Sequence, residues 1–581
     1  GKGGLCKDSA EALKWYRKGA EGGSDWGMAA LGWAIESGAD GSPADQAKAT
    51  EWYQKAALAG SGWGMSSLAR MHYHGRGGLP KDEVKAVEWY RKGAEAGDGR
   101  AMSGLGAMFA SARGGLAKDD AMAVEWFRKG AEAGDGSAMG NLGSMYRAGR
   151  GGLPKDEVTA VQWFRKGAEA GDGNSMDNLG ATYQAGKGGL DKDEASAVQW
   201  YRKGAEAGSG SALRDLGQMY AAGRGGLNRD EAAAAEWYRK GAEVGDGAAM
   251  VNFGWMYETG KGGLPKDEGK AVEWYRKGIE AEQGAAMNNL GGMFFRGGGG
   301  LPRDEVQAVE WYRNGAQAGN SRAMGNLGWM YQAGRGGLPK DEVTAVQWYR
   351  KGADAGDGNS MDNLGAAYEL GIGGLARDDA NAVDWYRRGA EAGSGSAMRD
   401  LGRMYEFGKG GLPMDDIRAV EWYRKGAEAG DGAAMVSLGS SYFRGIGGLP
   451  KDEVKAGEWY RKGAEAGNAD GMNRVGGGYL FGSYGLKRDE VQAVHWFRKG
   501  AEAGDGQAMT RLGWAYEHGR GGLQKDEAQG LAWHRRGAAT GNVTAMSNLG
   551  VVLFKGIAGL PADSTAAEPW LRRAASLGGE Q

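Results

Sequence analysis

Tryptophan and arginine recur at two places in this sequence where a packed core has no need of them. Trp26, Trp63, Arg100 and Arg322 occupy the first place; Trp33, Arg70, Trp255, Trp329, Arg403 and Trp514 occupy the second, seven residues further on. Seven residues make two helical turns, so on a helix both places share one face. Between them stand Arg214, Asp215, Arg399 and Asp400. Indole rings and guanidinium forks at exposed sites dominate binding hot spots. The chemistry expected of Trp26, Trp33, Trp63, Arg70, Trp255, Trp329, Arg403 and Trp514 is therefore recognition: docking of a protein or peptide, or stacking on sugar rings. Trp26, Trp33 and Trp63 would make one aromatic patch. The competing reading packs these rings against adjacent parts of the chain.

Other residue types offer less. Turns such as Gly186-Lys187-Gly188-Gly189 resemble phosphate cradles, but they follow a helix rather than a strand, and no G-x-x-x-x-G-K-[ST] occurs. Recurrent Asp-Glu pairs are explained by helix capping, and many equivalent copies do not supply the distinct environment a catalytic carboxylate needs. His72 and His74 are two apart and point different ways on a helix. His495, His518 and His534 alone could approach each other, and a packing or surface role is expected for them. Cys6 is the single cysteine, so no internal disulfide or thiolate cluster can form. No catalytic, cofactor-binding or metal-binding residue is expected, and the chain reads as a non-enzyme.

These residues are held by a repeat. A tryptophan stands at 15, 52, 89 and every 37 residues thereafter to 570, with an aspartate seven residues before each. A fixed period of this length marks a solenoid. Each unit opens on a turn such as Gly75-Arg76-Gly77-Gly78-Leu79-Pro80, and Asp82 then caps a first helix, A. Ala86, Val87, Tyr90 and Ala94 give helix A its apolar stripe, and Gly97 ends it as a left-handed cap. The next residue is Ser, Asp or Asn at every junction but one and caps a second helix, B, with Met102, Leu105, Gly106 and Phe109 inward. The Met28, Met65 and Met102 column is expected in the core. The column of Asn141, Asn178, Asn252, Asn326 and Asn363 is expected to bond between repeats or to hold an extended peptide. Only Gly or Ala occurs at the places of Gly93 and Gly106, so helix backbones should approach closely there, under the neighbouring tryptophan ring.

The run Trp89-Tyr90-Arg91-Lys92-Gly93-Ala94-Glu95-Ala96-Gly97, then Leu105-Gly106-x-Met108-Phe109, the Gly-rich turn and Asp119 resembles the Sel1-like repeat family, a relative of tetratricopeptide repeats. The resemblance covers essentially the whole chain. It implies an all-α fold, an αα-superhelix of about sixteen repeats over 1–581, starting in mid-loop and ending after its last A helix. It also implies a protein-interaction scaffold. The paired cysteines of the family's cysteine-rich branch are missing.

Three irregularities stand out. At one junction Glu282 and Gln283 replace the glycine and the cap, so either helix A runs on or Gly284 takes over the capping. Residues 137–180 recur at 322–365 with changes only at 137, 144, 147, 164 and 169, an offset of five units that points to block duplication. Pro569 should delay or shorten the last helix.

Lys plus Arg (72) nearly balances Asp plus Glu (74), which argues against a nucleic-acid partner, and no apolar run is long enough to span a membrane. With no initiator Met, the chain is expected to be a piece of a longer product whose targeting segment lies elsewhere, exported or at the cell surface. The leading functional expectation is a scaffold for a protein or peptide partner. Its alternative is a subunit of a head-to-tail rod or filament with uncapped ends; carbohydrate binding is the third.

Overall fold

The computed structural model describes residues 9–38, 45–557 and 561–578; Cys6 lies outside them. Thirty-one α-helices run from Ser9–Glu21 to Ser564–Gly578, and no β-strand occurs among the described residues. The chain divides into two compact units, Gly1–Ala286 with Gly298–Gly300 and Met287–Gly297 with Leu301–Gln581. Both have the same internal plan of alternating A and B helices.

All but two of the described helices start on a capping side chain among the described residues. Asp82 accepts from the Lys85 amide at 2.9 Å to open an A helix, and Asp98 accepts from the Ala101 amide at 2.9 Å to open the B helix that follows. Loss of such a cap costs about 1 kcal/mol. The Gly-rich turn between B and the next A is closed by one backbone bond, Asp82 N to the His72 carbonyl at 2.8 Å, repeated as Asp156 N to Tyr146 at 2.9 Å.

A B helix packs more extensively on the A helix after it than on the A helix of its own repeat. The reason is a missing side chain. A Cβ at Gly180 would stand 2.6 Å from Cε1 of Tyr201 and 3.1 Å from the Ala197 carbonyl, and Gly106, Gly143 and Gly365 meet Phe127, Phe164 and Tyr386 alike. The close approach is as expected, but the ring above it is the Tyr or Phe that follows the motif tryptophan. The tryptophan itself is half-buried on the outside. The lysine three residues on lies over it, as Lys92 Nζ does 4.6 Å from the Trp89 ring centre. Its inner edge packs on the preceding core, as Trp163 does on Val124, Phe127, Leu142 and Met145. Ala86, Val87 and Ala94 are buried as the stripe required. Met28, Met65 and Met102 sit half-buried at the core's edge, where the deeper methionine is Met108, while Met509 and Met546 of the same column are buried in the core. Successive B helices touch each other and successive A helices do not, so the B row forms the inner wall of each unit.

The Glu282 junction follows neither expectation. Its A helix, Glu268–Glu280, ends where its counterparts end. Gly284 is simply the first residue of the B helix Gly284–Arg296. Glu282 itself adopts the left-handed φ of 59° that Gly97 (82°) supplies elsewhere, which costs an L-residue about 1–2 kcal/mol. Its carboxylate meets Arg113 Nη2 at 2.5 Å, from a turn 169 residues earlier. Ala112, beside that arginine, is left-handed too, at 53°. Within the first unit, turns therefore face junctions that lie four to five repeats further on. The last helix, Ser564–Gly578, runs through Pro569 unshortened. Asp563 caps it through the Ala566 amide at 2.8 Å. Thr565, whose carbonyl loses its donor to the proline, and Pro569 are exposed.

Gly180→Ala should lower stability by about 1–3 kcal/mol, as overpacking does, in a urea titration followed by circular dichroism. Tyr201→Leu in the same chain should recover part of that loss, because the ring is what the methyl group strikes. An unchanged unfolding midpoint for Gly180→Ala would contradict the close approach.

Candidate functional site on the inner wall

The wall brings the predicted recognition residues together only in part. Trp26, Trp33, Trp255, Trp329 and Trp514 are exposed, between 39% and 57%, while Trp63 is half-buried. Trp26 and Trp63 pair at 6.0 Å, with Tyr16 on the edge of Trp26 at 5.6 Å and Arg100 over Trp63 at 4.8 Å. Trp33 joins no ring pair among the described residues. Lys261 lies over Trp255 at 4.7 Å, and His518 stacks on Trp514 at 4.7 Å.

Arg70 and Arg403 are engaged within the protein. Arg403 grips Glu369 of the preceding repeat with both guanidinium nitrogens, at 2.9 and 2.5 Å, and the Tyr386 hydroxyl donates to the same carboxylate at 3.0 Å. Arg70, Glu36 and Tyr53 repeat the arrangement at 2.8, 2.6 and 2.7 Å. The tyrosine is the ring that lies on the B-helix glycine, so one side chain serves both packing and polar closure. Tyr201 to Gln184 and Tyr349 to Gln332, each at 2.7 Å, are neutral versions. Burial alone would raise the Glu369 carboxyl, but the Arg403 guanidinium, with Lys409 and Tyr386, outweighs it and holds the group at about 2. The signal that could have found this clamp is a Glu 34 residues before each of these two arginines.

The recurrent acidic pairs do two jobs. The first residue caps its helix, and the second pairs with the cation of the following turn, as Asp120 does with Arg150 at 2.9 and 2.5 Å. The histidines stay apart. His518 Nδ1 lies 2.9 Å from the Trp514 carbonyl. His534 is fully buried in the tyrosine's place, 3.2 Å from Glu517 without hydrogen-bond geometry. Among the described residues no group of three or more His, Cys, Asp or Glu could hold a metal ion, and no helix is long and apolar enough to cross a membrane.

The second unit carries a groove of about 720 Å³ across successive B helices, walled by Asn288, Arg322, Asn326, Trp329, Asp362 and Asn363 and closed by the next turn at Asp431. Asn326 Nδ2 donates to Asn288 Oδ1 at 2.8 Å, and Asn141 reaches Ser103 at 3.3 Å, so these two asparagines bond between repeats. Asn178 instead turns back to its own helix, onto the Asn174 carbonyl at 3.0 Å. A second cavity of about 540 Å³, more apolar, is lined by Leu480, Phe481, Phe497, Arg511 and Trp514. On the groove floor Asp362 is 8% exposed, and no protein donor reaches its Oδ1. Burial, and then the charge of Asp400, push its carboxyl up to about 7.

Glu369→Gln should cost about 1–3 kcal/mol at neutral pH, the range for leaving a hydrogen-bonded charge without its partner. A carboxyl lowered from 4.5 to about 2 contributes stability that is complete above 4.5 and is lost as the pH falls through 2. The gap between variant and parent in urea titrations should therefore close over that window. A gap independent of pH would contradict the ionic clamp.

A family model described as Sel1 repeat matches sixteen consecutive segments, from 1–24 and 27–61 to 506–542 and 543–579. Most segments, such as 136–172, begin with a B helix and end after the next A helix, the pair that packs most closely. Among solved structures, the chain is similar to a protective antigen of uropathogenic Escherichia coli described as displaying an SLR fold, at 32% identity over 79% of this chain and 94% of that one, TM-score 0.34. It is also similar to a Sel1 repeat protein from Oxalobacter formigenes, at 30% identity over 43% of this chain and 96% of that one, TM-score 0.35. No curated protein matches significantly. With sixteen matched segments covering nearly all of its length, in helices that alternate as A and B throughout, the chain belongs to the Sel1 repeat family.

Proposed function

We propose that this protein is a non-catalytic interaction scaffold whose second unit receives an extended segment of a partner protein in the groove between Asn288 and Asp431. Sel1 repeat proteins are typically interaction scaffolds, and the groove adds the site. The observation that carries the reading is its lining. Side-chain amides at Asn326 and Asn363 recur one repeat apart along it, with Asn288 on the preceding B helix beside them, and an amide offers both a donor and an acceptor, the pair that a peptide backbone presents. Arg322 and Trp329, two of the residue types that dominate binding hot spots, stand at one wall. The groove lies inside the array rather than at a terminal helix, which favours a separate partner over head-to-tail association. Sugar stacking needs an open ring face, and Arg100 already lies over Trp63.

Selection of a displayed random peptide library on the full chain tests this reading. The peptides recovered should bind the Asn326→Ala/Trp329→Ala/Asn363→Ala variant at least about tenfold more weakly, the scale expected when hot-spot contacts are truncated. Arg350→Ala, on the outer face, should bind them as the parent does. Equal binding to the triple variant would remove the groove from the account.

A further inference from the structure

The duplicated block carries a polar cluster that the scaffold itself does not complete. Asp362, on the B helix Gly358–Leu370, faces Arg399 and Asp400 on the next B helix and Asp431 at the cap of the one after. Arg399 is committed to its neighbour, with Nη2 2.7 Å from Asp400, and stands 3.9 Å from Asp431. Arg403, 3.5 Å from Asp400, is held by Glu369. Three carboxylates thus face Arg399, with Arg403 reaching only Asp400 among them, and the most deeply buried of them has an oxygen that no protein donor reaches. The first unit repeats the three aspartates and the arginine among them 185 residues earlier, with Gln184 and Gln218 in the places of Glu369 and Arg403. Asp177 is 9% exposed with Oδ1 unpartnered. Arg214 is 2.7 Å from Asp215 and 3.5 Å from Asp246.

A buried carboxylate with one oxygen left unpartnered is costly. What the cluster lacks is one positive charge with hydrogen-bond donors. We propose that Asp362 and Asp177 each form the floor of a subsite for a basic side chain, lysine or arginine, of an extended partner peptide, one in each unit. At the second unit this rests on the groove reading above and names what the groove selects. The asparagine column would hold backbone, and the aspartate would choose the residue. Each chain therefore takes two such side chains, one in each unit.

The unliganded carboxyls stand at about 7 for Asp362 and about 6 for Asp177, raised by burial and by Asp400 and Asp215 respectively; Ser396 with Arg399, and Ser211 with Arg214, act in the opposite sense. An incoming cation favours the ionised form. Binding should therefore release protons and weaken as the pH falls through these values.

The test uses fluorescence anisotropy of the full chain with a labelled peptide of alternating lysine and glycine. Its counterpart with acetyl-lysine serves as comparison, and spermine serves as competitor. The lysine peptide should bind at least about tenfold tighter than the acetylated one, the order expected for a buried charge pair. It should tighten between about pH 5.5 and about pH 8, as a carboxylate ionises. Asp177→Asn/Asp362→Asn should abolish both the preference and the pH dependence. Asn is close in shape, and an unchanged far-ultraviolet spectrum and melting curve would show that the wall is intact. Glu88→Gln, on an exposed outer face, should change nothing. If spermine displaces the peptide at equal concentration of amine, the subsite selects the cation itself; if it does not, the asparagine column is needed as well. Equal binding of the two peptides overturns the basic subsite and leaves the groove standing. Failure of the lysine peptide to bind overturns the subsite whatever the library returns, while a lysine preference that survives the double variant places the recognition elsewhere.

Discussion

The contact between a glycine of each B helix and the aromatic ring of the next A helix is the constraint on which the rest depends. At Gly180 the ring of Tyr201 occupies the space a methyl group would need. Glycine in mid-helix costs about 1 kcal/mol against alanine, and the structure tolerates that cost in nearly every copy because the approach brings two backbones together. The same ring carries a hydroxyl to the far side of the contact, where a Glu or Gln of the preceding B helix accepts from it. One residue thereby sets both the spacing and the polar closure of the wall, and an insertion on either side would separate the glycine from its ring.

With the spacing fixed, the inner wall is free to vary, and it varies in its electrostatics. Glu369 and Asp362 lie seven residues apart on one helix, both buried, with opposite fates. Glu369 has a guanidinium, an ammonium and a phenol around it and is held near 2. Asp362 has two neighbouring carboxylates and an oxygen without a donor, and it stands near 7. Burial acts on both in the same direction, so the difference comes from partners. Perturbed groups of the second kind mark candidate working positions, and groups of the first kind are the frame that holds them.

Much of this was legible in the sequence. The period, the helix pairs, the aspartate caps and the left-handed Gly97 column follow from residue types at fixed spacing. The partner of Gly106 was not legible. Trp and a second large side chain, most often Tyr, are adjacent in every copy, and only the phase of the A helix against the B helix decides which of them faces inward. Arg70 and Arg403 read as free anchors because their acceptors lie a repeat earlier, beyond any helical spacing; a search for charges coupled at 34 residues would have found Glu36 and Glu369. Glu282 breaks a local rule for a reason 169 residues away, and no local pattern carries such information. Asp177 and Asp362 showed themselves only as members of a duplicated block, because burial and an absent donor are properties of packing.

The central claim is that the inner wall of B helices, and not the outer face or the ends of the array, is where a partner is received. Amide hydrogen exchange of the full chain, with and without the tightest peptide the library provides, tests it most directly. The account predicts slowed exchange along the B helices Ser321–Ala333, Gly358–Leu370 and Gly395–Glu406, with the A helices between them unchanged. Protection confined to A helices, or to the terminal helices Ser9–Glu21 and Ser564–Gly578, would contradict it.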